Sequence, residues 1–381
     1  MILEISKKRL EKADEIAIYN GFTYTEVPCL NSSKNLFLHP KEKIQVIQNC
    51  KKKHDIKQSE PVMLYYNQHI LVNKSEQLKQ KTNKNLGLDI IGISNGVAEA
   101  MLINTAVRIL KEEGYKNIFV NINSIGDKQS ISKFLDEFST YCNKNFSDLE
   151  ARCKKAINRK NFNILSCEHE KCTAVISNAP KPINFLSEDS QNHFREVLEY
   201  LDEMRIDYRI KDNLISHDNH YSKTIFEIRM EENDSTIGET LLARGGRYDE
   251  AVNKIANKRN LVAVGMSMQF KKNSNIKAES NRINESQIFL IQFGFIAKLK
   301  SFEIIDTLRQ HRILIKQSLH REKLSDQFDE AKKNKTPFIL ILGQKEALDN
   351  EVIFRDVVGA YQDVIKIDLL PRYLKKKGFI Q

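Results

Sequence analysis

The sequence predicts an α+β protein in which helices flank an antiparallel sheet, with a helical insertion and a small carboxy-terminal α/β unit. Three observations carry that reading. The strand-like runs before residue 92 and after residue 206 follow one another mostly without crossover helices. The stretch from Lys128 to about Asn178 is charged and helical in period, with no strand core. Beyond a polar segment, Lys271 to Glu285, strand and helix alternate over the remaining residues, as in a parallel or mixed α/β unit. With 381 residues the chain is long enough for two or three domains. The expected division is a core over 1–275, its insertion at about 128–178, and a second domain over 286–381.

Taken in order, the first element is an amphipathic helix. Ser6 is its expected N-cap, Leu10, Ala13, Ile16 and Ala17 form its apolar face, and Gly21 ends it. "FTYTEVPCL" reads as a strand whose Pro28 suits an edge or terminus. "VMLYYNQHILV" and "LGLDIIGIS" read as further strands, followed by a helix from Val97 to about Glu113 that stops at Gly114. The strand "NIFVNINSIG" precedes the insertion. After it come the strands "IDYRIKDNLI", "KTIFEIRM" and "GETLLARGG", then a helix starting near Tyr248. In the last domain "QIFLIQF", "RILIKQS" and "PFILILG" are strands, with helices around "KSFEIIDTLRQ" and from about Lys323 to Asn334.

Composition narrows the function classes. No apolar run approaches the roughly 18–20 residues that cross a bilayer, and the amino terminus lacks a signal-peptide pattern, so a cytoplasmic location and no membrane partner are expected. The formal net charge of +10 permits an anionic partner such as nucleic acid. The six cysteines are spread too widely for a secreted disulfide framework. "SCEHEKC" gathers Cys167, His169 and Cys172, with Cys153 upstream, but the paired C-x2-C spacing of a zinc site is missing, so no metal is expected.

The densest motif is "LLARGGRYDEAV". Adjacent Gly245 and Gly246 let backbone approach a ligand or another strand, and Arg247 offers a two-pronged donor for a carboxylate or phosphate. "GGRYD" followed by "VAVGMSM" resembles the glycine-rich segment and third signature motif of histidyl-tRNA synthetases, a class II aminoacyl-tRNA synthetase family. Other segments are similar in the same order: the first helix with "EVP", then "VNINSIGD", "SNAPKPINFLSEDSQNHF", "KTIFE" and finally "LSDQFDEAKKNKTPFILILGQKEA", which is similar to the anticodon-binding domain. The resemblance covers nearly the whole chain. It implies a class II synthetase-like fold, a homodimer formed through the first helix and strand, and tRNA as a partner.

The same resemblance implies a degenerate active site. Activation builds negative charge on the α-phosphate oxygens of ATP, so the site needs preorganised cations there. Where motif 2 of the family carries its ATP-gripping arginine and a following glutamate, this chain has Leu71 and Asn73. Ser216 takes the place of the catalytic arginine of the histidine-specific motif, and Lys272 that of the motif 3 arginine. His39 and Lys41 stand in the segment that holds the substrate amino group, where Lys41 puts a cation against an ammonium. Each lost transition-state donor typically costs about 3–4 kcal/mol, so activation is expected to be lost. A remnant pocket is expected from Asp89, which matches an acid facing the substrate imidazole, with Tyr221, Gly245, Gly246, Arg247 and Lys272. His320, Arg321, Lys323 and Gln327 are candidates for an RNA-facing loop and helix.

Four readings stay open on these residues, one of them a purely structural dimer and the other three functional. One is a catalytically degenerate synthetase-like protein that binds tRNA or a protein partner. Another is a histidine-sensing regulatory subunit like that of ATP phosphoribosyltransferase. The third is a divergent ligase in which Lys74 or Lys272 replaces the lost arginines. No cofactor is expected for the first; ATP and Mg2+ enter only with residual ligase activity.

Overall fold

The structure, a computed structural model, describes residues 11–26, 61–67, 83–158, 169–215, 221–232, 238–256, 261–271 and 286–379, with Lys43, Val46, Gln48, Ile164, Leu165 and Cys167. It divides into two compact units, one of Met1–Thr23 with Asn273–Gln381 and one of Tyr24–Lys272.

The larger unit is built on one twisted sheet. Its strands are β1 (Thr23–Tyr24), β2 (Val62–Asn67), β3 (Asn83–Ile91), β4 (Ile118–Gly126), β5 (Tyr208–Ile210), β6 (Ser222–Glu231), β7 (Glu239–Arg247) and β8 (Ala263–Lys271), in the order β1-β2-β3-β8-β7-β6-β4-β5. The run β2-β3-β8-β7-β6-β4 is antiparallel throughout. The exception to the expected connectivity is β5, which pairs parallel with β4 because the whole helical insertion lies between them in sequence.

Helix α1 (Lys12–Tyr19) buries Ala13, Ile16, Ala17 and Tyr19 and ends at Gly21, whose φ of +92° suits glycine. Its N-cap is Glu11; the expected start at Ser6 lies outside the described residues. Helix α2 (Val97–Glu112) is buried over most of its length. The insertion holds α3 (Lys128–Lys144), α4 (Ala151–Asn158) and α5 (Glu170–Ser177), and α6 (Glu188–Glu203) follows it. "NSIGD" has a local explanation here. Gly126 turns at φ +74°, and Asp127 caps α3 by accepting the Ser130 N–H at 2.8 Å, while the Ser187 hydroxyl that begins α6 donates to Asp127 at 2.6 Å. One side chain thus pins two helix starts. Helix α7 (Asp249–Ala256) completes the unit.

In the smaller unit β9 (Ile288–Gln292), α8 (Phe295–Gln310), β10 (Ile315–Gln317), α9 (Leu324–Lys333) and β11 (Phe338–Leu342) alternate as expected. They continue into α10 (Gln344–Leu348), β12 (Glu351–Asp356), β13 (Tyr361–Lys366) and α11 (Leu370–Lys376). The sheet order is β10-β9-β11-β12-β13, with the first three strands parallel and the last two antiparallel. The amino-terminal residues, expected in the core, group with this unit because α1 packs on α8 and Tyr19 lies beside Arg309 and Arg312. Among the described residues no helix is long and apolar enough to cross a membrane.

Candidate ligand pocket and its two sheet faces

Register places the site. Asp89 on β3 lies opposite Gly265 on β8, which lies opposite Gly246 on β7, so the three share one row and one face of the sheet. The two glycines are there for space. A methyl on Gly265 would fall 1.6 Å from Asp89 Oδ1, and one on Gly246 would fall 2.6 Å from the Thr224 carbonyl and 2.8 Å from Tyr221 Cδ1.

Asp89 is fully buried and surrounded by donors. The Tyr66 hydroxyl donates to its Oδ2 at 2.6 Å and the Tyr248 hydroxyl to its Oδ1 at 2.8 Å. The third donor is a lysine. Lys43, also fully buried, brings its Nζ to 3.1 Å from Asp89 Oδ1, 2.8 Å from the Met266 carbonyl and 3.4 Å from the Tyr66 hydroxyl. Burial pushes the Asp89 carboxyl above its ordinary range, while the Lys43 cation and the two tyrosine hydroxyls pull it back. Tyr221 is buried beside Gly246, and burial raises its phenol, with Arg244 opposing and Asp89 adding to the shift.

Arg247 belongs elsewhere. Alternation along β7 sends it to the sheet face opposite Asp89, where it grips Glu99 of α2 from Nε at 2.8 Å and from Nη2 at 2.6 Å. Its Nη1 donates to the Ile93 carbonyl at 3.0 Å, and His193 of α6 meets the same carboxylate at 2.8 Å. Burial alone would raise the Glu99 carboxyl, but Arg247 and His193 outweigh it and hold it at about 2. Arg247 is therefore a strut between strand and helix and not part of the expected pocket.

The expected residues are otherwise distributed as follows. Asp89, Tyr221 and Gly246 come together, and Gly245 lies one residue out of their row, tight against the Gly265 carbonyl and Met266. His39, Lys41, Leu71, Asn73, Ser216 and Lys272 lie outside the described residues. In the smaller unit Gln327 is fully buried, with its amide accepting from Gln292 N–H at 3.0 Å and donating to the Gln292 carbonyl at 2.7 Å. It joins α9 to β9 and presents nothing to RNA. Arg321 pairs with Glu330 at 2.6 Å, Lys323 is exposed, and His320 is held down to about 4 by burial, then by Arg321 and Lys298. Sequence reading missed Lys43, Tyr66, Glu99 and His193. Alternation in "LYYN" leaves either tyrosine able to face Asp89, and nothing local to Glu99 announces an arginine nearly 150 residues away.

An antiparallel-rich sheet with a buried acid set among close-packed glycines, together with a mixed α/β carboxy-terminal unit, is the architecture of a class II aminoacyl-tRNA synthetase-like fold. A family model described as "Anticodon binding domain" matches residues 287–377. The chain is 28% identical over 298 residues to the histidine–tRNA ligase of Caldicellulosiruptor bescii, covering 76% of this chain and 69% of that one. It is 29% identical over 283 residues to that of Elusimicrobium minutum, covering 74% and 67%. In fold it matches the crystal structure of apo Staphylococcus aureus histidyl-tRNA synthetase with a TM-score of 0.52 at 20% identity, over 95% of this chain and 93% of that one. Sequence relatives and fold alike make this chain similar to histidyl-tRNA synthetases.

Proposed function

We propose that this chain no longer activates histidine and acts as a tRNA-binding, homodimeric cytoplasmic protein on a synthetase scaffold. The observation that carries the reading is the Lys43 ammonium on Asp89, buried with Tyr66 and Tyr248 around it. Where the family's acid would meet the substrate imidazole, the chain supplies its own cation. A ligand must displace it, and separating a buried pair typically costs about 3–5 kcal/mol. At 1.4 kcal/mol per decade that weakens ligand binding by roughly two to four decades. The substitutions at Leu71 and Ser216 act in the same direction by removing charge from the ATP side.

For tRNA the smaller unit offers a groove of about 890 Å³ lined by Lys332, Lys335 and Arg355 beside Phe328 and Tyr361. Cations for the backbone and aromatic faces for bases are what single-stranded RNA requires. The test pairs two measurements. Histidine-dependent ATP–pyrophosphate exchange is expected at background, and histidine tRNA is expected to bind more tightly than an unrelated tRNA, with affinity falling steeply as salt rises. Exchange above background refutes the loss of activation. Binding blind to tRNA identity moves the function to a protein partner. A regulatory role in histidine sensing stands behind this reading because the anticodon-binding unit is retained; histidine-induced thermal stabilisation of the wild-type chain would reverse that order.

A further inference from the structure

Three cysteines of the insertion meet at one point. Cys153 comes from α4, Cys167 from the segment after the Ile164–Leu165 turn, and Cys172 from α5, and their sulfurs all lie within 4.8 Å of one another. All are free thiols. Sulfurs that share a tetrahedral zinc at bonds of about 2.3 Å stand roughly 3.8 Å apart, so a bound ion would draw the three inward only slightly.

Backbone donors already point at two of the sulfurs. The backbone N–H of Glu150 donates to Cys172 Sγ at 3.3 Å, and the backbone N–H of His169 donates to Cys167. Burial raises the Cys167 thiol, yet that N–H bond, the neighbouring sulfurs and Arg152 bring it below the ordinary thiol range, while burial and the same neighbouring sulfurs push the Cys153 thiol up. Cys142, buried in the same core, shows what a merely packed cysteine does. It has no such donors, and burial alone pushes its thiol up to about 11. Access exists as well, since Cys167 lines a cavity of about 490 Å³ with Thr173 and Lys181.

We propose that Cys153, Cys167 and Cys172 form a three-thiolate site for a thiophilic divalent metal of the zinc class, and that the ion staples the helical insertion. Binding deprotonates the thiols and releases those protons. Three thiolates and a divalent cation leave a net charge of −1, beside which Arg152 sits. The fourth tetrahedral position is left to water, because the imidazole of His169 is engaged by Glu150 at 3.3 Å and stands outside the cluster. The need is physical: α4 and α5 are eight residues each, too short to hold by their own cooperativity. The site is independent of whether the chain activates histidine.

The test uses the full chain, stripped with a chelator, held under a reductant that does not bind metal, and titrated with Co2+ alone. Thiolate-to-cobalt charge-transfer absorption with tetrahedral visible bands is expected to saturate at one ion per chain and to bleach on adding Zn2+. Cys167→Ser, a change at the half-exposed ligand, is expected to weaken Co2+ binding at least tenfold, while Cys142→Ser leaves it unchanged. Independently of any variant, Zn2+ is expected to slow alkylation of Cys167 in the native wild-type chain at least tenfold. No charge-transfer absorption, an equal loss in Cys142→Ser, or alkylation indifferent to Zn2+ would each overturn the site.

Discussion

Replacing Lys43 with Met removes the ammonium and keeps much of the side chain's volume, so it isolates the charge that fills the pocket. The pair is 3.1 Å apart and fully buried on both sides. At an effective dielectric near 20 that separation corresponds to an attraction of about 5 kcal/mol. Breaking a buried pair from one side typically destabilises by about 3–5 kcal/mol, because the other charge stays behind. For a unit of this size 1 kcal/mol moves the melting temperature by about 2–4 °C, so Lys43→Met is expected to lower it by roughly 6–20 °C. The loss should depend on pH with a definite sign. The Asp89 carboxyl is already raised by burial, and without Lys43 it rises further. A carboxyl whose folded pKa is raised stabilises the fold below its unfolded value and loses that contribution as pH rises through the folded value. The variant is therefore expected to be closer to wild type at pH 5 than at pH 8. In the Lys43→Met/Asp89→Asn double variant most of the loss should return, giving a coupling of about 2–3 kcal/mol. Lys43→Ala, which also vacates volume, should gain histidine-induced thermal stabilisation that the wild type lacks. Urea unfolding monitored at both pH values decides it. A loss below about 1 kcal/mol, or additive single variants, would refute the self-filled pocket.

Glu99 is held at about 2 against an ordinary 4.5, so its contribution is present above 4.5 and is lost as pH falls toward 2. That amounts to roughly 3 kcal/mol by acid titration of unfolding, and the slope should be absent from Glu99→Gln/Arg247→Met. Arg247→Ala alone should cost about 3–5 kcal/mol by leaving Glu99 buried without its partner. Gly265→Ala, whose methyl would lie 1.6 Å from Asp89, should destabilise by about 3 kcal/mol in urea, at the upper end for overpacking. Lys332→Gln/Lys335→Gln/Arg355→Gln should weaken tRNA binding and flatten its salt dependence by about 2 in slope, with the melting temperature nearly unchanged; an unaltered salt slope would remove the groove from the RNA reading.

Much of the architecture was legible because it rests on local rules. "NIFVNINSIG" reads as a strand that ends before the helical insertion, and β4 stops at Gly126, where Asp127 caps the next helix. The glycines of "GGRYD" read as close backbone approach, and Gly246 does pass 2.6 Å from the Thr224 carbonyl when a Cβ is placed on it. What local pattern cannot supply is which partner a buried charge selects. Lys43 and Asp89 are 46 residues apart, and Arg247 and Glu99 are 148 apart. Lys43 reads as a surface residue and Arg247 as a ligand-binding one until the fold gives each a buried carboxylate. Gln327 was misread for the same reason, since a polar residue in "LSDQFDEAKK" reads as solvent-facing, whereas its two-sided bond to the Gln292 backbone needs β9 beside α9. The cysteine cluster lacked a spacing signature because its sulfurs come from three separate segments.

Under the proposed loss of activation, the two faces of β7 account for a motif that outlives its chemistry. On one face Gly246 keeps room for Tyr221 in the row that holds Asp89 and Gly265; on the other Arg247 closes Glu99, His193 and the Ile93 carbonyl into one buried cluster. Losing a ligand relaxes the demand on the first face only. Lys43 then compensates Asp89, which would otherwise stand as an uncompensated carboxylate in the sheet. The second face has no such substitute, because removing Arg247 leaves Glu99 and His193 with nothing of the same reach. On that reading "GGRYD" is kept as a structural element, its glycines by the close packing of the sheet and its arginine by the helix behind it. A strand whose ligand-side and helix-side residues alternate can lose catalysis one face at a time. Recovery of histidine binding in Lys43→Ala, with the Arg247 cluster untouched, is the separation this arrangement requires.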